Sequence, residues 1–193
     1  MVGGPGCCQG SLARILLVVV WLAGCATGRG RPASSDPHWV EIPGVRLILV
    51  KDEADCGVAA LATVLSFWQP NISVSEVRSA LGPGSSREGL EAGRLREVAR
   101  QHGVRAFLVE GVFDDLAYEI ARGRPVIVGL VEQSGSRRFG HYVVVVGINT
   151  VTKTVLVADP RGSWRRLHAT TLMAEWRPAH QLALFILPEE SLE

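Results

Sequence analysis

The chain has 193 residues, with 20 Lys and Arg against 19 Asp and Glu and a net charge of +1. Near-neutrality without a long block of one sign argues against nucleic acid as a partner, since neutralising a phosphate backbone takes clustered Lys and Arg. The length suits one domain with a substantial core, and no internal repeat divides it.

The amino terminus reads as an address. In residues 1–14 the one charged side chain is Arg14, and residues 15–24, "ILLVVVWLAG", form an apolar run. A bilayer-spanning helix needs about 20 apolar residues, so this run is too short to cross and has the length of a secretory h-region. The residues that close it, "LAGC" at 22–25, resemble the lipobox of bacterial lipoproteins. That resemblance implies a signal peptide over residues 1–24, with Cys25 diacylated as the first mature residue. It also implies an exported protein, lipid-anchored to a bacterial membrane on its periplasmic face, and Ala26 is compatible with outer-membrane sorting. The alternatives are a soluble secreted protein cut at Ala26 or beyond, or an uncleaved anchor. On the lipoprotein reading Cys7 and Cys8 leave with the signal and Cys25 is blocked, so Cys56 is the single free thiol of the mature chain. An unpaired thiol in an exported protein, where disulfides are usual, marks a candidate reactive group.

Residues 26–38, "ATGRGRPASSDPH", are rich in Gly, Pro and Ser and read as a flexible tether of about 20 Å reach. The domain then runs over 39–193. "VRLILV" at 45–50 predicts a strand, and residues 57–68 predict a buried helix because they are apolar almost all round. "SVSE" at 73–76 has the capping-box spacing and starts a second helix ending near Gly82. Residues 82–89 form a loop, and 90–101 a third helix that Gly103 stops. Beyond it lie a strand at 105–110, a helix at 114–122 and strands at 125–131, 141–149 and 154–160. A helical turn near 170–176 precedes a last strand at 181–187. Helices first and a largely antiparallel sheet second give an α+β class.

The usual catalytic signatures are missing from the sequence. It has no zinc-type Cys pair, no His pair at metal-ligand spacing, no Walker-type phosphate loop and no serine nucleophile elbow, so no cofactor or metal is called for. Cys56 remains. Cysteine is a common core filler, but at the first turn of a helix the free N–H groups and the macrodipole favour a negative sulfur, the attacking form. A thiol nucleophile needs a base and a group to orient that base. His141 and Asp159 lie on two consecutive strands and their numbers average to 150. A hairpin turning about Thr150 would set them directly opposite, with Cβ atoms about 5 Å apart. Singly each has an ordinary explanation, a strand-edge histidine and a turn-starting aspartate before Pro160. Jointly, with the lone thiol, they form a Cys-His-Asp set.

"DCGVAALATVL" at 55–65 resembles the nucleophile motif of the C39 family of papain-like cysteine peptidases, and "GHYVVVVGIN" and "VLVADPRG" resemble that family's histidine and aspartate strands. The likeness runs over about residues 45–187. It implies a papain-like fold with the cysteine helix packed on an antiparallel sheet, Cys56 as nucleophile, His141 as general acid/base and Asp159 as the orienting residue. It also implies a peptide or protein substrate. Family members form the front domain of peptide exporters, where they cut leaders after a glycine pair; others stand alone as exported or lipid-anchored proteins, the form this chain has. The sequence does not say whether it has an exporter partner. One position departs from the pattern: the family's oxyanion glutamine, five or six residues before the cysteine, is here Val50 or Lys51. Lys51 is the remaining side-chain candidate for that role. The expected function is a lipid-anchored cysteine peptidase acting on exported peptides. The alternatives are a weak or silent peptide-binding lipoprotein, or an acyl-transfer or cell-wall peptide hydrolase using the same three residues.

Overall fold

The computed structural model describes Met1 and residues 31–32, 34–52, 55–82 and 91–189. The signal segment, Cys7, Cys8, Cys25 and most of the 82–89 loop lie outside the described residues. Among the described residues, no helix is long and apolar enough to cross a membrane.

Three helices form the amino-terminal half. α1, Cys56–Trp68, is buried along residues 56–66 because its small and apolar residues leave no polar face to solvate. α2, Val74–Leu81, starts where the Ser73 hydroxyl accepts the Glu76 N–H at 3.2 Å, half of the predicted capping box, and ends at Gly82, whose φ of 80° suits glycine. α3, Ala92–Gln101, stops before Gly103, φ 72°. The three helices pack on one another, with α1 also against the sheet and α3 against its β2 strand.

Among the described residues the sheet has seven strands. They are β1 (Trp39–Glu41), β2 (Val104–Glu110), β3 (Val126–Ser134), β4 (Arg137–Asn149), β5 (Thr154–Asp159), β6 (Ser163–His168) and β7 (Leu182–Pro188). Their order is β2-β7-β3-β4-β5-β6, with β1 on β4, and every pairing is antiparallel. α4, Phe113–Ala121, follows β2, and α5, Ala169–Trp176, follows β6. The α+β class is the observed one.

Two expected elements differ. Residues 45–50 join no ladder: Ile48 N–H donates to Thr63 Oγ1 at 3.3 Å and Val50 N–H to the Pro160 carbonyl at 3.1 Å. Their backbone N–H groups tie α1 to the end of β5, because both sides of β4 are already taken. β1 occupies the lane beside residues 147–149, just beyond the point where β3 stops pairing at Val145. β6, rich in Trp and Arg, was absent from the sequence reading and closes the sheet as a hairpin partner of β5 through the turn at Gly162.

The β4–β5 register also differs from the expected one. The ladder starts at Asn149↔Thr154, shifts between Val145 and Gly147, and continues as Val145↔Val157 and Val144↔Ala158. His141 and Asp159 are therefore not directly opposed. In the shifted register Asp159 stands across from Val143, two residues from His141 and on the same face. The bulge decides this. A regular ladder from the same turn would set Asp159 opposite Val144, on the other face from His141, because faces alternate with period two.

Ahead of the sheet, the stretch expected as a tether makes contacts in its described part. Arg31 ion-pairs with Glu41, donates to the Ile42 carbonyl at 2.6 Å and lies 4.9 Å over the Trp164 ring, and Asp36 accepts from Asn149 Nδ2 at 2.7 Å.

Candidate active site

Cys56 is the first residue of α1, free and buried. Its neighbour Asp55, the N-cap, is also buried and pairs with Arg78 of α2 at 2.6 Å, which fixes the entry to the helix. His141 comes from β4 at a place beyond the last β4–β5 pair. Its Nε2 bonds Asp159 Oδ1 at 2.9 Å, and both side chains are only 2% exposed. With Nε2 engaged, the ring's other nitrogen is left for Cys56, whose sulfur is near enough to help hold the imidazole's proton. The three side chains expected from the sequence thus meet in one chain of contacts.

Burial penalises the charged imidazole, but hydrogen bonds to Asp159 and Cys56 and attraction to both outweigh it, raising His141 from 6.5 to about 9. Asp159 moves the other way. Burial opposes its ionisation, yet the His141 bond and the Arg161 bonds hold it well below the usual carboxylate range. Tyr142, next on β4, is pushed up to about 12 by burial first and then by the charges of Cys56 and Glu91.

Two arginines and a glutamate complete the site, and the sequence reading singled out none of them. Arg161 gives Asp159 three donors: its backbone N–H and Nε to Oδ1 at 3.0 and 3.2 Å, and Nη2 to Oδ2 at 3.0 Å. Arg165 Nη1 reaches Asp159 Oδ2 at 2.9 Å and Glu132 Oε1 at 3.1 Å. Glu132 in turn takes Arg161 Nη2 at 2.8 Å and Nη1 at 2.6 Å. Burial opposes charge on Glu132 as well, and the Arg161 hydrogen bond with the surrounding positive groups holds it low. No local pattern marks them: Arg161 sits in the turn after β5 and Arg165 on β6, and only the folded hairpin brings the two together.

Glu132, His141 and Asp159 offer donor atoms within 4.8 Å of one another, a spacing that would suit a cation. The carboxylate oxygens are already occupied by two guanidiniums and the imidazole faces sulfur. The donor set is compensated and does not fit a metal centre.

Lys51 is exposed, and among the described residues it has no hydrogen bond or ion pair. The neighbouring Val50 uses its backbone N–H on Pro160.

Residues 45–191 match the family described as the peptidase C39 family. The chain belongs to that family. The C39 match covers all three residues of the Cys-His-Asp set. Among relatives, a lactococcin transport/processing ATP-binding protein LcnC-like from Lactococcus lactis subsp. lactis is 26% identical over 144 residues, 74% of this chain and 19% of that protein. Lactococcin-A transport/processing ATP-binding protein LcnC is 26% identical over 127 residues, 65% of this chain and 17% of its own length. The chain therefore spans less than a fifth of either relative. Among solved structures, a putative C39-like peptidase from Bacillus anthracis has TM-score 0.64 at 14% identity, covering 78% of this chain and 98% of that one. The peptidase domain of Streptococcus ComA, a bi-functional ABC transporter, has TM-score 0.62 at 24% identity over 75% and 99%. A double-glycine-motif protease from an AMS/PCAT transporter, in complex with the leader peptide, has TM-score 0.59 at 22% identity over 75% and 91%. These likenesses give the fold, a papain-like C39 peptidase domain.

Proposed function

We propose that this chain is a lipid-anchored cysteine peptidase that cleaves exported peptides through Cys56, His141 and Asp159. The observation that carries the reading is the imidazole of His141, bonded to Asp159 at 2.9 Å and to the Cys56 sulfur within one buried cluster. In the reacting form an imidazolium stands beside a thiolate. The sulfur attacks the scissile carbonyl, His141 protonates the departing amine, and a thioester remains. Water, deprotonated by His141, then attacks the thioester; the acid product leaves and the thiol takes back its proton. Asp159 holds the ring's orientation and tautomer throughout. The Cys56 backbone N–H, at the positive end of α1, is the first oxyanion donor, and Lys51 is the candidate for the second.

Attachment through Cys25 would put the domain on the periplasmic face of a bacterial membrane. The relatives are named for transport and processing together, which supports a peptide substrate and an exporter as the kind of partner.

The deciding experiment is digestion of a peptide library by wild type and Cys56→Ala under reducing conditions. Cleavage by wild type alone is expected, and cleavage that persists in the alanine variant removes Cys56 as nucleophile. A second reading, a silent peptide binder, is favoured by Val50 and the exposed Lys51 at the glutamine position. It is supported if neither protein cleaves and a thiol-directed peptide probe leaves Cys56 unlabelled. Radiolabelled fatty acid should enter the wild type and not Cys25→Ala in cells.

A further inference from the structure

The acid of a catalytic triad has one geometric duty, to present an oxygen to the imidazole. Asp159 is restrained well beyond that. Its Oδ1 meets His141 Nε2, Arg161 N and Arg161 Nε, while Oδ2, which faces away from the ring, is held by Arg161 Nη2 and Arg165 Nη1. Both guanidiniums are fixed a second time on Glu132 of β3. Donors from the turn after β5 and from β6, and an acceptor from β3, thus converge on a carboxylate that is 2% exposed. A carboxylate paired to a histidine alone could rotate about χ2; a fork on one edge and a second cation on the far oxygen forbid that.

We propose that Arg161, Arg165 and Glu132 are positioning residues for the triad: the guanidiniums fix the Asp159 carboxylate on His141 and offset part of its negative charge at the imidazole, and Glu132 fixes the guanidiniums. The inference rests on the proposed roles of Cys56, His141 and Asp159. It separates two jobs. The Arg161 fork sets direction, whereas the summed charge of the two arginines and Glu132 sets how tightly the imidazole holds its proton. The charged and titratable groups around the ring are Cys56 of α1, Tyr142 of β4, Asp159 of β5, Arg161 after it, Arg165 of β6, Glu132 of β3 and Glu175 of α5. Glu175 Oε2 is buried without a hydrogen-bond partner, and burial and the Glu132 charge push its carboxyl up. The cluster opens on a polar cleft of about 360 Å³, lined in part by Arg161, Ser163, Arg165 and Glu175, so water can solvate a truncated member.

The test follows the His141 ring by nitrogen-detected NMR titration in the full domain, alongside the pH profile of Cys56 alkylation by iodoacetamide and of peptide turnover. Arg165→Gln removes a positive charge, so the imidazole should titrate about one pH unit higher, and Glu132→Gln about one unit lower. Arg161→Lys keeps the charge and loses the fork: its titration should stay near wild type while turnover falls about tenfold or more. Circular dichroism and thermal melting identify any variant that fails to fold, and the opposite signs expected for Arg165→Gln and Glu132→Gln do not follow from general loosening. Shifts of the same sign, or none, in folded Arg165→Gln and Glu132→Gln overturn the proposal. So does full turnover by Arg161→Lys. The titration and alkylation need no cleaved peptide. A wild type without peptidase activity but with opposed shifts therefore defeats the catalytic reading alone, and an active wild type with unmoved titrations defeats this inference alone.

Discussion

Burial by itself would leave the imidazole of His141 neutral; it is the Asp159 carboxylate and the Cys56 sulfur that keep it charged up to about pH 9. Replacing Asp159 by Asn removes one of the two groups that oppose burial and leaves Cys56 as the other. His141 in Asp159→Asn should titrate below its wild-type value of about 9, and turnover should fall about 100- to 10,000-fold, read from kcat against pH. The same groups set how stability depends on pH. His141 binds its proton more tightly folded than unfolded, so its contribution is fully present below pH 6.5 and is lost as pH rises to about 9. Asp159 is lowered on folding, so its contribution is present above 3.8 and is lost as pH falls below that. The melting temperature should therefore peak between these limits and decline on both sides, and the alkaline decline should shrink in His141→Gln. The residues at this centre were legible because each stands in a C39-like motif and because the hairpin puts His141 and Asp159 on one face, although its register is not the one expected. The arginines behind Asp159 were not. Arg161 lies in the turn after β5 and Arg165 on β6, where no strand was predicted, and what holds the two half-buried is Glu132, reached across the sheet.

At the scale of elements, helix starts and stops were legible because their signals are local. Ser73 capping Glu76 N–H and the glycines after α2 and α3 depend on a few adjacent residues. Ser73→Ala should cost about 1 kcal/mol of stability, seen as a lower denaturant midpoint. The strands were harder. "VRLILV" has strand composition, but composition cannot tell whether a lane in the sheet is free. β1 claims that lane through Gly147, where an added Cβ would stand 3.3 Å from the Val40 carbonyl, the Trp39 ring and Leu156. Backbone on one side and a packed ring on the other give little room to yield. Gly147→Ala should destabilise the domain by about 1–3 kcal/mol in equilibrium denaturation. The bulge beside Gly147 was also illegible, since residues 143–146 are four identical valines and nothing in them says which one the ladder skips. An even register put His141 and Asp159 on one face in the sequence reading; the molecule reaches an even register only through that irregularity.

For the molecule as a whole, the chain ahead of the domain and the hairpin that carries His141 and Asp159 share one buried side chain. Asn149 is 1% exposed. Its Oδ1 accepts the N–H groups of Val151 and Thr152, both at 2.9 Å, which shapes the β4–β5 turn, and its Nδ2 holds Asp36 at 2.7 Å. On the lipoprotein reading, the span left between Cys25 and the pinned Arg31 reaches at most about 20 Å when fully extended. The seating of Arg31 and Asp36 would then keep the domain close to the bilayer, with Asp36 coupled to the hairpin. Asn149→Ala strips both attachments at once and should cost about 2 kcal/mol, given three lost hydrogen bonds at a buried site. Hydrogen exchange locates the damage. Faster exchange is expected at Val151 and Thr152, whose acceptor is gone, and at Trp39 and Ile42, whose N–H groups bond Asp36 and Val146 at 3.0 and 2.8 Å. If only the turn amides accelerate, Arg31 on Glu41 and Trp164 holds the segment by itself and the coupling through Asn149 is absent.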